Sequence, residues 1–200
     1  MRENNNQLVP ALFSSLAALL FSTDGFAASY GIGMSAKSGE SEILFPINLS
    51  SDWRIEPSIR YSKDKRTNTF SDGTYYSRTT TTSTTYTVSL GIFRQQPMPN
   101  SFNYYYGLRF GYGKVYSKSG LYDPDYFQPV SESTSESSIK YVAPTFGIDY
   151  LINEKISLAG EINYAMSETE GDSDSMSGAQ SDTEGFNLGS NSRIILRYFF

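Results

Sequence analysis

The side chains able to do chemistry in this chain are charged residues that recur at every second position of short segments. Arg54, Glu56 and Arg60 share one parity within 53–61. Arg109 lies in 104–113, Asp149 in 141–150, Glu161 in 156–164, and Arg193 and Arg197 in the last nine residues. The opposite parity is apolar or aromatic: Trp53, Ile55, Ile59 and Tyr61 in the first segment, Tyr104, Tyr106, Leu108, Phe110 and Tyr112 in the second. Such strands turn charge to one side and apolar surface to the other. If the charged sides face a common interior, the charges must pair there. Two outcomes compete. One is a charge network that fills the interior. The other is a narrow path preferring anions, because five arginines face three acids and Gly31, Gly33, Gly107, Gly111, Gly113 and Gly147 leave room. The network is the expected outcome.

Catalysis is not expected. Glu56 and Glu161 could form an acid/base pair, but no spacing demands it. The chain has no His and no Cys. That removes the usual general base and commonest metal ligand, and with them thiolate metal sites and disulfides. The sequence therefore predicts no catalytic residue, no cofactor-binding residue and no metal site. The stretch 167–185 carries Glu168, Glu170, Asp172, Asp174, Asp182 and Glu184 without a basic residue. Asp172 and Asp174 could offer oxygen ligands to Ca²⁺. The rest of a calcium-loop pattern is missing, so a solvated acidic loop is the expectation.

The elements that must position these residues are strands. Period-two alternation marks eight of them, beginning near Ser29, Ile43, Trp53, Thr79, Tyr104, Tyr141, Ile156 and Phe186. The connections sort by length. Residues 50–52, 95–101 and 152–155 are short; 63–80, 117–137 and 167–185 are long and polar. All the long ones fall at one end. The Thr/Ser run 79–87 has high β propensity and reads as the fourth strand projecting beyond a bilayer. Aromatic residues form two belts, Tyr30, Trp53, Tyr104, Tyr150, Tyr198 and Phe200 at one level and Tyr61, Tyr86, Tyr112, Tyr164 and Phe186 at the other. That spacing fits an apolar band about 25 Å tall on tilted strands. Pro46, Pro57 and Pro144 fall inside strands, where each removes a ladder donor; bulges or register shifts are expected there.

The ends complete the pattern. Arg2, an apolar run from Leu8 to Phe21, and small residues before Ala28 have the three-part plan of a secretory signal peptide. Residues 1–28 are read as that peptide, with cleavage after Ala27 or Ala28, and 29–200 as a single domain. No apolar run reaches the roughly 20 residues of a membrane-spanning helix. At the other end Ile194, Leu196, Tyr198 and Phe200 share one face, with Arg193 and Arg197 on the other.

Taken together, these features resemble the small eight-stranded bacterial outer-membrane β-barrel proteins of the OmpA/OmpX class. The resemblance covers residues 29–200 and rests on pattern; no loop motif singles out one member. It implies an all-β fold, an eight-stranded antiparallel up-and-down transmembrane β-barrel with long extracellular loops and short periplasmic turns. It implies residence in the bacterial cell outer membrane. It also implies that Ile194, Leu196, Tyr198 and Phe200 carry the signal read by the outer-membrane assembly machinery. Members of this class have differing activities. The expected role is structural or surface-interactive, adhesion-like, through the long loops; the alternative is a narrow channel for ions or small solutes. Expected partners are outer-membrane lipid and lipopolysaccharide, with Lys63, Lys65, Arg66 and Arg78 available to phosphates or another polyanion, and a host or surface ligand. A monomer is expected, and a formal charge of -5 gives no reason to expect nucleic acid.

Overall fold

The alternation becomes one antiparallel sheet closed on itself. The computed structural model describes residues 29–37, 40–71, 76–122, 129–175 and 180–200. The strands are β1 (Ser29–Lys37), β2 (Glu40–Leu44), β3 (Ile47–Asn48), β4 (Trp53–Ser71), β5 (Tyr76–Met98), β6 (Phe102–Tyr122), β7 (Pro129–Leu151), β8 (Ile156–Ser175) and β9 (Gln180–Phe199). Neighbours in sequence pair from β3 through to β9. β1 pairs with β2 and β3 on one side and β9 on the other, which closes the ring. β2 and β3 are one stave interrupted at Phe45 and Pro46, so the nine strands make eight staves. The proposed signal peptide lies outside the described residues.

The stagger follows from the registers. Neighbours of Tyr61 run through Tyr86, Lys114, Ser138 and Glu170 to Glu184. In the other direction they run through Ser41 and Ala36 to Ile194. The offset from Glu184 to Ile194, ten residues, is the shear of the barrel. Eight staves with that shear tilt by roughly 40°.

Inside and outside follow strand parity. Ile43, Ile59, Ile92, Leu108, Phe110, Phe146, Ile148, Leu158 and Leu196 are 39–53% exposed and ring the barrel. A water-soluble domain seldom carries so continuous an apolar surface. It is the surface a bilayer covers. The inward parity holds Leu44, Phe93, Tyr105, Ala159 and Ile195, all buried, beside the charged residues. Inward glycines make room for rings. A Cβ on Gly147 would stand 2.2 Å from the Tyr105 ring, and one on Gly111 2.1 Å from the Tyr141 ring. The space expected of these glycines is thus occupied.

Two expectations are corrected here. The polar stretches 63–80, 117–137 and 167–185 are mostly strand. β4 and β5 stay paired from Lys63↔Thr84 out to Ser71↔Tyr76, and β8 and β9 out to Asp174↔Gln180. Their polarity reflects water on both faces, and a strand wet on both sides keeps its backbone ladder. Likewise, the turn expected over 95–101 shrinks, because Met98 pairs with Phe102. Asn100 and Ser101, each at φ 63°, turn the chain there.

The prolines do not shift the register. Ile47↔Ile55 and Leu44↔Ser58 lie on one register either side of the break in the second stave. Gly31 N donates to Pro46 O at 2.9 Å, and Phe45 N to Pro57 O at 2.8 Å. Each proline withdraws one donor from one neighbour, so a rung is lost while the ladder continues. Pro144 behaves alike: it pairs with Leu108 on β6, while its β8 side is interrupted between Val142↔Met166 and Thr145↔Asn163, on an unchanged register.

Candidate functional site

Strand parity aims the charged residues inward, and tilt brings them from six staves to one level. Glu56 on β4 accepts Arg109 Nη2 at 2.7 Å and Arg197 Nε at 2.8 Å. Arg54 Nη1 and Arg197 Nη1 both donate to Asp149, at 2.8 and 2.5 Å. Arg193 Nε donates to Glu161 at 2.8 Å, and Arg109 reaches the same carboxylate at 3.4 Å. Seven of the eight charged residues singled out in the sequence thus form one buried, connected network. Arg60 lies at its outer margin, with its side chain 25% exposed and Glu42 at 3.4 Å.

Two members of the network were not singled out. Glu42 on β2 accepts from Arg193, and Ser58 Oγ donates to it at 2.5 Å. Its strand begins at Glu40, earlier than the expected start near Ile43; outward Ile43 was the signal that Glu42 points inward. With Glu42 included, four buried carboxylates face the four buried arginines Arg54, Arg109, Arg193 and Arg197. The apparent excess of cations therefore disappears at the core of the network. The other is Tyr105. Its hydroxyl donates to Glu161 at 3.0 Å and accepts from Arg197 Nη2 at 3.3 Å. Its ring lies 4.2 Å from the Arg54 guanidinium carbon. Phe93 packs edge-on to Tyr105 and takes the Arg109 guanidinium at 5.2 Å. Guanidinium N–H groups not used for carboxylates thus meet aromatic faces.

This arrangement fills the barrel. Glu56 and Glu161 are each held by guanidinium groups, which suits charge balance and offers no open base. Above the network, a cavity of about 20 Å³ sits among Ser35, Glu42, Arg60, Asn163, Ser192 and Arg193. That is room for about one water.

The terminal strand closes the wall. Ile194, Leu196, Tyr198 and Phe200 point outward, while Arg193 and Arg197 are buried in the lumen. Phe200 N donates to Tyr30 O at 2.9 Å, and its ring meets Tyr198 edge-on at 5.4 Å. The geometry places these residues; it does not address the assembly signal.

The outer end is uneven. The β1–β2 hairpin stops at Lys37↔Glu40, whereas β4 to β9 continue about ten residues past Tyr86 and Tyr112. At roughly 40° of tilt that is an extension of roughly 25 Å. Among the described residues, β4 beyond Ser62 and β9 before Ile194 have a partner on one side only. Of the residues expected to meet a polyanion, Lys63 and Lys65 share the outward parity of β4. Arg66 is paired with Asp64 at 2.9 Å, and both are exposed. Asp172 lies opposite Glu136 and Asp182. The described residues contain no group of three or more carboxylates placed to hold a metal ion.

No protein-family model matches the chain, and no curated protein matches it in sequence. Comparison of structures finds similar folds. A major outer membrane protein from Thermus thermophilus matches with a TM-score of 0.58 at 13% identity, over 87% of this chain and 100% of that one. The chain folds as a small bacterial outer-membrane β-barrel. Ail, the attachment invasion locus protein of Yersinia pestis, matches over 86% of this chain and 95% of its own, at 12% identity and a TM-score of 0.41. Neisserial surface protein A matches over 86% and 94%, at 13% identity and a TM-score of 0.42. In such a barrel, the bilayer lies between the two aromatic belts, and the projecting sheet stands outside it.

Proposed function

We propose that this protein resides in the bacterial outer membrane as a sealed barrel and acts outside it through its projecting sheet, in a surface-interaction role of the adhesion type. One observation carries the reading: six strands, β4 to β9, continue well beyond the outer aromatic belt while β1 and β2 stop below them. The extension is not needed to cross a bilayer, since 9–11 residues suffice. It leaves two sheet edges, 63–71 on β4 and 180–190 on β9, whose outward main-chain groups can accept an added strand. The β4 edge carries Lys63, Lys65 and Arg66, which discourage indiscriminate pairing. The β9 edge carries fewer charges and presents Phe186 and Leu188, both more than half exposed; Phe186, opposite Glu168, stands beyond Tyr164 and so on the projecting sheet, not in the outer belt expected from the sequence. Binding at that edge draws on backbone hydrogen bonds for affinity and on the alternate side chains for selection.

The filled lumen supports the sealed half of the reading, because ion pairs, Tyr105 and Phe93 occupy the space a solute would need. The reading assigns no catalytic role; Glu56 and Glu161, the pair the sequence offered for acid/base work, are both bound by guanidinium groups. The test is a graft. Residues 63–80, 117–137 and 167–190, which carry both open edges, are moved together onto an inert eight-stranded barrel, and binding to cells and to matrix proteins is measured. Transfer of binding with the three hairpins supports the reading. Folded chimeras that bind no better than the bare scaffold, beside a parent protein that binds, would remove it.

A further inference from the structure

The outward face of the projecting sheet is not flat. Thr82 and Thr84 on β5, Tyr112 and Tyr116 on β6, Glu136 on β7 and Glu170 on β8 line a groove of about 1140 Å³. These residues continue the parity of Leu108 and Phe110, so the groove is the direct outward prolongation of the lipid-facing wall. It opens sideways at the membrane surface, starting at Tyr112 in the outer belt.

We infer that this groove binds the oligosaccharide of a glycolipid in the surrounding outer leaflet, through uncharged or amino sugars and not through phosphate. Three observations converge. The first is the pair of rings. Tyr112 and Tyr116 stand four residues apart on one strand, about 13 Å, and are 40% and 43% exposed. Rings so spaced bracket two or three pyranose units and pack against their C–H faces, each with a hydroxyl to spare for hydrogen bonding.

The second is the polar lining. Lys118 Nζ lies 2.9 Å from Glu132, Lys140 Nζ lies 3.3 Å from Glu170, and Lys114 donates to Glu136. Neighbouring acceptors and donors on adjacent strands match the vicinal hydroxyls of a sugar. The threonines of β5 add hydroxyls along the opposite wall. Lys114 and Lys118 in the lining, with Lys140 on Glu170 beside it, face the four carboxylates of Glu132, Glu136, Glu170 and Asp172. The groove therefore keeps a small excess of negative charge, which disfavours phosphate and sulfate and admits neutral or protonated amino sugars.

The third is position. A partner arriving from the lateral side, next to the outer belt, is a lipid headgroup before it is anything else. The groove is separate from the open edges of β4 and β9, so it stands or falls independently of the surface-interaction reading.

The test uses the full barrel in detergent micelles and in vesicles. With Thr methyl groups labelled, a glucosamine tetrasaccharide, maltotetraose and a heparin-derived tetrasaccharide are titrated separately. We expect the Thr82 and Thr84 methyl resonances to shift with the first two, with dissociation constants in the millimolar range. Tyr116→Ala should weaken that binding at least tenfold, and Glu136→Gln should weaken the amino sugar more than maltotetraose. Both side chains are exposed, and a heat-modifiability gel verifies that each variant is folded. Vesicles carrying lipopolysaccharide with a long neutral saccharide chain should then perturb the same methyl groups, and vesicles of phospholipid alone should not. Absence of shifts with the two uncharged or cationic sugars would overturn the inference. So would equal binding of the heparin fragment, unchanged binding in a folded Tyr116→Ala protein, or free-sugar binding with no response to the glycolipid vesicles.

Discussion

Glu56→Gln is the perturbation that probes the lumen most sharply. Glu56 is completely buried. It accepts Arg109 at 2.7 Å and Arg197 at 2.8 Å, and Arg54 lies 3.9 Å away. The amide keeps the shape but loses the charge, and it turns an NH₂ group toward guanidinium neighbours. Four buried arginines then face three buried carboxylates. Removing one partner of a buried ion pair costs about 3–5 kcal/mol, because the other charge stays buried without compensation. That corresponds to roughly two to four powers of ten in the folding equilibrium. The chain has a single tryptophan, Trp53, on the outward face of the same strand, β4. Reversible urea unfolding in phospholipid vesicles, followed by Trp53 fluorescence, reads the change directly. Adding Arg109→Gln removes the excess cation, and the double variant should be more stable than the sum of the single losses by about 0.5–3 kcal/mol. An unchanged unfolding free energy for Glu56→Gln, or strict additivity in the double variant, would refute a paired and desolvated network.

Two further expectations concern the turn and the terminus. Ser101 holds φ at 63° in the turn between β5 and β6, so Ser101→Gly should raise unfolding stability by up to about 1 kcal/mol, measured in the same urea assay: about 1–2 kcal/mol of left-handed strain is released and about 0.4–1 kcal/mol is lost to glycine's extra freedom in the unfolded chain. Deleting Phe200 should leave export intact but block outer-membrane assembly, seen as loss of the heat-modifiable band from the membrane fraction while processed chain accumulates in the periplasm; normal assembly would place the signal elsewhere.

Much of the fold was legible because the side-chain period of a strand is two and the barrel has only two faces. Ile194, Leu196 and Tyr198 announce one face, and Arg193 and Arg197 the other, with no tertiary information needed. What parity cannot give is which charges meet. Arg54 and Asp149, or Arg197 and Glu56, come together only through the ten-residue stagger of the closed sheet. Glu42 is passed over because the alternation puts the start of its strand near Ile43, whereas the strand begins at Glu40. Apart from the Thr/Ser run 79–87, which reads as a projecting strand, the projecting sheet reads as loops when polarity is equated with absence of a ladder. Lys63 and Lys118 show the error, being polar, paired and outside the bilayer. The groove between Tyr116 and Glu136 was invisible for a related reason. It depends on how the sheet curves once membrane and closure no longer hold it, and no residue pattern encodes that curvature.

The claim that activity lies on the outer sheet rests on a lumen closed by its own side chains. Recording from the purified barrel in planar bilayers tests that closure most directly. The account predicts no unitary conductance steps in the native protein. Reproducible steps that change when Arg109 or Arg197 is neutralised would contradict it, and would make the lumen a path for ions instead of a plug.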